Sequence, residues 1–166
     1  MSTPVGRTSG LLRRHEIQRL EPIPRPGPVG PERVVIRLQT AAGFPLSFSL
    51  AHAENSELCQ ITRYRGGEGL TCGSDPRTCV APDEISVHPG LRNEEGDGKS
   101  LVTLSGVVGS DVAGLELQYT NGVVVPVPIT ERFVLFEIAP EHHADERFVL
   151  VGRDAAGEVI TRRVLK

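Results

Sequence analysis

The segment Leu115-Glu116-Leu117-Gln118-Tyr119, Thr120-Asn121-Gly122, Val123-Val124-Val125-Pro126-Val127 constrains the fold more than any other stretch of the chain. Apolar and polar residues alternate along its first arm, as on a half-buried strand whose side chains point to opposite faces. Asn-Gly between two such runs is the strongest short-range hairpin signal, because both residues tolerate positive φ. The return arm carries Pro126, and Pro128 follows; neither has an N–H to give to a ladder, so this arm belongs at a sheet edge. A chain that forms this hairpin needs further strands to cover its apolar side.

The same period of two recurs on both sides of the hairpin. Val34–Leu38, Leu46–Leu50, Leu58–Thr62, Leu70–Cys72, Ile85–Val87, Leu101–Gly106, Phe133–Ile138, Phe148–Gly152 and Val159–Val164 are short apolar or alternating runs. Turn residues separate them: Ala41-Ala42-Gly43-Phe44-Pro45, Arg65-Gly66-Gly67, and Arg153-Asp154-Ala155-Ala156-Gly157. The 18 Gly and 13 Pro are the punctuation of many tight turns. Residues 73–83 are expected to be a loop and residues 90–99 a polar loop. About nine short strands roughly a dozen residues apart predict an all-β chain, specifically an immunoglobulin-like two-sheet β-sandwich. That domain is assigned to residues 33–166, behind a flexible, basic, Pro-rich tail at residues 1–32.

Within the tail, residues 11–20 have the makings of a short helix, with Leu12 and Leu20 two turns apart, but a helix this short is marginal alone. Pro22, Pro24, Pro26, Pro28 and Pro31 favour an extended polyproline spacer. Arg7, Arg13, Arg14, Arg19, Arg25 and Arg33 outnumber Glu16, Glu21 and Glu32, which makes the tail a candidate peptide for docking a partner.

The net charge of −3 gives a phosphate backbone no overall reason to bind. Five Phe, two Tyr and no Trp make a poor stacking platform. Nucleic acid is therefore not an expected partner. No run approaches the roughly 18 apolar residues of a membrane-spanning helix. The start, Met1 to Arg7, lacks a charged segment followed by an apolar one and a cleavage site, which taken literally keeps the chain in the cytoplasm.

Residues 100–165 resemble a module of uncharacterised secreted or membrane-tethered proteins of high-GC bacteria. The resemblance is carried by Leu104-Ser-Gly106-Val-Val, Val112-Ala-Gly-Leu115-Glu-Leu117, the Asn121-Gly122 turn, Phe133, and Leu150-Val-Gly-Arg-Asp154-Ala-Ala-Gly157-Glu-Val159. It implies an Ig-like β domain without assigned activity and favours an extracellular or cell-surface address. Upstream, that group often has a Cys strand, a Gly-rich turn and a second Cys, similar to Cys59, Gly66-Gly67 and Cys72.

Three cysteines permit one disulfide. Cys59 with Cys72 would tie a strand to its neighbour and is the favoured pair; Cys72 with Cys79 would close a surface loop; three reduced thiols would suit a cytoplasmic address. Cys59, Cys72, Cys79 and His88 lack the spacing of a zinc site. His142-His143-Ala144-Asp145 is the one tight cluster of metal-ligating types, yet adjacent histidines on extended backbone point apart. Asn93 to Gly98 lacks the acid spacing of a calcium loop. No Gly-x-Ser-x-Gly turn is present, and Ser105-Gly106 falls within a strand. No catalytic residue, metal site or cofactor is assigned. The expected role is a non-catalytic structural or protein-interaction module with a protein partner, outside the cytoplasm. The rivals are a cytoplasmic adaptor docking through its tail, and a small metal-binding or hydrolytic protein.

Overall fold

Strand formation follows the alternating runs, in a computed structural model that describes residues 27–93, 100–145 and 147–166. The strands are β1 (Arg33–Gln39), β2 (Pro45–His52), β3 (Leu58–Tyr64), β4 (Gly67–Gly73), β5 (Ile85–Asn93), β6 (Ser100–Val108), β7 (Gly114–Gln118), β8 (Val124–Pro126), β9 (Phe133–Glu137), β10 (Phe148–Arg153) and β11 (Val159–Leu165). Two short 3₁₀ turns, Pro76–Cys79 and Pro140–His142, are the only helical elements among the described residues. The segment 11–20 and most of the Pro-rich spacer lie outside the described residues.

Among the described residues eleven strands form, one on each of the runs named above though the total was put at about nine, and they make three sheets rather than two. The first is an antiparallel meander, β1-β2-β3-β4; the second has the order β5-β6-β9; the third has the order β11-β10-β7-β8. Gly90 to Asn93, expected in a polar loop, pair instead with Ser100 to Thr103, because a neighbouring ladder overrides weak local preference. Pro126 does lie on an edge strand, as its missing N–H requires.

Packing makes the second sheet the middle layer. Leu104 and Val108 of β6, Val134 of β9, and Ile85 and Val87 of β5 join Leu115, Leu117, Leu150 and Leu165 of the third sheet in one core. From its other face, Leu101 and Val107 of β6 and Phe133 and Leu135 of β9 join Leu46, Phe48 and Leu50 of the meander in a second core. The β6 and β9 residues alternate between the two cores because successive side chains on a strand point to opposite faces. Sheets covered on both sides show nearly continuous apolar runs, which accounts for Phe133-Val134-Leu135-Phe136.

The connections repeat one device. After Thr40, Ala53, Tyr119 and Asp154, the N–H three residues on donates back to that residue's carbonyl, and its own N–H donates to the carbonyl four residues on. The third loop residue has positive φ in each: Gly43 at 89°, Ser56 at 64°, Gly122 at 85° and Gly157 at 85°. This is the three-residue hairpin loop that ends in a left-handed residue. At Asn121-Gly122 only Gly122 takes positive φ; the Asn121 Oδ1 accepts the Val123 N–H instead. Ser56 is the one side-chain-bearing residue at that position. Ser56→Gly is expected to stabilise the protein by about 0.5–1 kcal/mol, since a left-handed residue costs glycine almost nothing. Equilibrium urea unfolding measures it, and a lower midpoint would refute the reasoning.

Residues 27–32 run onto the meander ahead of β1. Pro28 bridges Ala53, the N–H groups of Val29 and Gly30 donate to the His52 carbonyl, and Glu32 pairs with Arg63 of β3. The chain is therefore already docked at Pro28, ahead of Arg33.

Candidate functional site

At one end of the meander, β1, the end of β2, the Ala53–Glu57 turn, the end of β4 and the Pro76–Cys79 turn surround a cleft of about 540 Å³. Leu50 and Leu58 line it, with Pro31, Asn55, Glu57 and Ser74 among its other walls. Arg33 and Arg77 also line it, and a chain of ion pairs holds both.

That chain starts on β1. Arg33 donates twice to the Glu131 carboxylate, at 2.6 and 2.9 Å. Arg77 approaches the same carboxylate at 3.9 Å and pairs with Asp75 at 2.7 Å. Asp75 also caps the 3₁₀ turn, accepting the Arg77 N–H at 3.0 Å. Hydrogen bonds from Arg33 hold the Glu131 carboxyl below its ordinary range, and those from Arg77 do the same for Asp75. With both values depressed, this contribution to stability is fully present above the usual carboxylate range, about pH 4. It disappears as pH falls through the lowered values.

Glu131 and Arg132 form the two-residue turn into β9, with φ of 52° and 70°. Two successive non-glycine residues in the left-handed region cost about 1–2 kcal/mol each. The surroundings offset that cost: Arg33 grips Glu131, while Arg132 donates to the carbonyls of Val108 and Arg77 at 2.9 and 3.0 Å. Ile129-Thr130-Glu131-Arg132 contains no Gly or Asn, so nothing local in the sequence announces this turn.

The cysteines lie beside the cleft. Cys59 and Cys72 face each other across β3 and β4 and form a disulfide, so the Cys72–Cys79 alternative does not hold. Cys79 is an exposed thiol at the end of the 3₁₀ turn. The disulfide makes a joint zinc site from Cys59, Cys72, Cys79 and His88 impossible, because two of its ligands are consumed.

The histidine pair sits on the third sheet's side and is not extended as expected, because Pro140 opens a 3₁₀ turn there. His142 is buried, stacked on Tyr119 with ring centroids 3.6 Å apart, and its Nδ1 lies 3.0 Å from Asp145 Oδ2. Burial raises the Tyr119 hydroxyl's pKa. His143 turns its Nε2 to the Ile138 carbonyl at 2.9 Å. The two rings serve separate partners and anchor the loop between β9 and β10. Among the described residues, no three Cys, His, Asp or Glu side chains are placed to share a metal ion. No helix among them is long and apolar enough to cross a membrane.

No family model, no curated protein and no solved structure matches the chain.

Proposed function

We propose that this protein is a non-catalytic, immunoglobulin-like interaction module that works outside the cytoplasm and holds a protein partner at the cleft between β1, β4 and the Pro76–Cys79 turn. The observation that carries the reading is the state of the cleft's charged walls. Arg33 and Arg77 are engaged by Glu131 and Asp75, which fixes their shape and leaves a rigid polar rim over Leu50 and Leu58. Rigid charged rims around an apolar floor suit recognition, where ordering side chains beforehand lowers the cost of binding.

The immunoglobulin-like assignment is supported by strand pairing. Lettered A, B, C, C′, E, F and G in chain order, β5 to β11 pair as A-B-E and C′-C-F-G, close to the arrangement of immunoglobulin sandwiches. The Cys59–Cys72 disulfide supports an oxidising compartment.

Two measurements test the proposal. Protein taken from its producing cells without reductant should show one maleimide-reactive thiol, Cys79, and three after reduction; three at the outset would refute the extracytoplasmic address. A photo-crosslinker at Glu57 or Ser74 should give one defined partner adduct, with none from Val164, which is exposed on β11. Equal labelling from Val164 would refute the cleft as the partner site.

A further inference from the structure

The interface between the meander and the middle sheet is dry on one side and polar on the other. Around β1, β2 and β9 it is filled by Leu46, Phe48, Phe133 and Leu135. Toward β3 and β4 it opens into a second cleft, of about 290 Å³, at the low end of the usual size for small-molecule sites. Gln60, Thr62 and Thr71 line one wall, Ser105 of β6 lines the other, and Phe48 closes one side.

Register explains the convergence. Gln60 lies directly opposite Thr71, and Thr62 lies between Phe48 and Gly69, so these residues share the inward face of the meander. The alternate residues of β3, Cys59 and Ile61, face the other way and pack with Ala51 and Ala53. Strands β3 and β4 therefore turn Gln60, Thr62 and Thr71 toward the middle sheet, while Cys59 and Ile61 are buried on the other face. Among the described residues, the side chains of Gln60, Thr62, Thr71 and Ser105 have no hydrogen-bond partner.

We propose that this inter-sheet cleft binds a neutral, polyhydroxylated ligand the size of a single sugar ring. Three hydroxyls and one carboxamide each both donate and accept, which matches hydroxyls on adjacent carbons. Among the described residues no charged side chain lines the cleft, so an ionised ligand would lose hydration without gaining a counter-charge. Phe48 supplies an apolar wall for the ring's C–H face. Gly69, lacking a side chain, leaves the depth the ring needs. The site is separate from the partner cleft, and its success or failure leaves that reading untouched.

The test is a titration of the full-length, oxidised protein with D-glucose, D-galactose and N-acetyl-D-glucosamine, followed by amide NMR shifts, with D-glucuronate as the charged control. At least one neutral sugar is expected to give saturable shifts at Gln60, Thr62, Gly69, Thr71 and Ser105, with a Kd on the order of 1 mM. Thr62→Val and Gln60→Leu are each expected to weaken it about tenfold. Their melting temperatures should hold or rise, because removing an unpaired polar group from between two sheets does not weaken folding. Ser105→Ala, from the opposite wall, gives the same readout should either of the others fail to fold. The proposal is overturned by a lack of saturable shifts with all three neutral sugars, which would mark a water-filled gap. Shifts centred elsewhere, equal binding of glucuronate, or variants that bind like the parent would also overturn it.

Discussion

Phe133→Ala is expected to cost about 3–5 kcal/mol of folding stability. Phe133 opens β9 and is 1% exposed, so its whole ring lies between the meander and the middle sheet. Its centroid is 5.0 Å from that of Phe48, and the Arg77 guanidinium sits 4.9 Å from the ring centre. Removing the ring leaves a void that the two layers cannot easily close. Arg33 holds β1 to Glu131 at one end, and the Ala41 N–H holds the β1–β2 turn to Glu137 at the other. A domain of this size has roughly 5–15 kcal/mol in total, so the loss is large. Urea unfolding should show a lower midpoint with an unchanged slope. Phe133→Leu, which refills most of the volume, should recover more than half of the deficit. A cost below about 1 kcal/mol would mean that the meander contributes little to holding the middle sheet.

Gly106→Ala is the second large effect, and it acts through the backbone. Gly106 lies within β6 at φ of 153°, a conformation that residues with side chains rarely adopt. A Cβ there would fall 2.0 Å from the Ser86 carbonyl oxygen and 2.8 Å from the Val87 Cα. Both are main-chain atoms of β5 and cannot rotate away. Accommodation requires β5 to separate from β6, which breaks a ladder at the centre of the molecule. A loss of about 3 kcal/mol or more is expected, seen as a lower thermal midpoint and a changed chemical shift for the Ser86 carbonyl carbon. Gly43→Ala is the matched control: its φ is also positive, but nothing lies within 4 Å of the added methyl. Only the intrinsic left-handed cost of about 1–2 kcal/mol applies there. Equal losses at the two positions would show that conformation, not the clash, dominates at Gly106.

Much of the sheet structure was legible because strand formation depends on local alternation. The Tyr119–Val123 hairpin, the edge position of Pro126 and the strand containing Ser105-Gly106 all follow from period and turn chemistry. The third layer did not follow from a two-sheet expectation. Its sign is the uninterrupted Phe133-Val134-Leu135-Phe136 run, which marks a strand buried on both faces. The Glu131-Arg132 turn was invisible because long-range arginine contacts, not turn residues, hold it. His142 and His143 were placed on extended backbone because an alternating reading cannot anticipate the turn that Pro140 starts. The polar cleft hid for a related reason. Gln60 and Thr62 look like ordinary solvent-facing positions until pairing shows which face of β3 meets the middle sheet. The loss of Cys72 to the Cys59 disulfide needed only their opposed places on β3 and β4, which a hairpin reading of Gly66-Gly67 suggests.

The middle sheet also sets how the molecule opens. Amide protons of β6 are covered by a paired strand on either side and by a core on either face. They exchange with solvent only when a whole outer layer lifts away, so their exchange rates report global unfolding. Among the described residues the meander's outer strand β4 has a strand partner on one side only, with glycine at positions 67, 69 and 73, so its amides exchange by local fraying. Deuterium would therefore enter from the polar cleft's rim inward and reach β6 last.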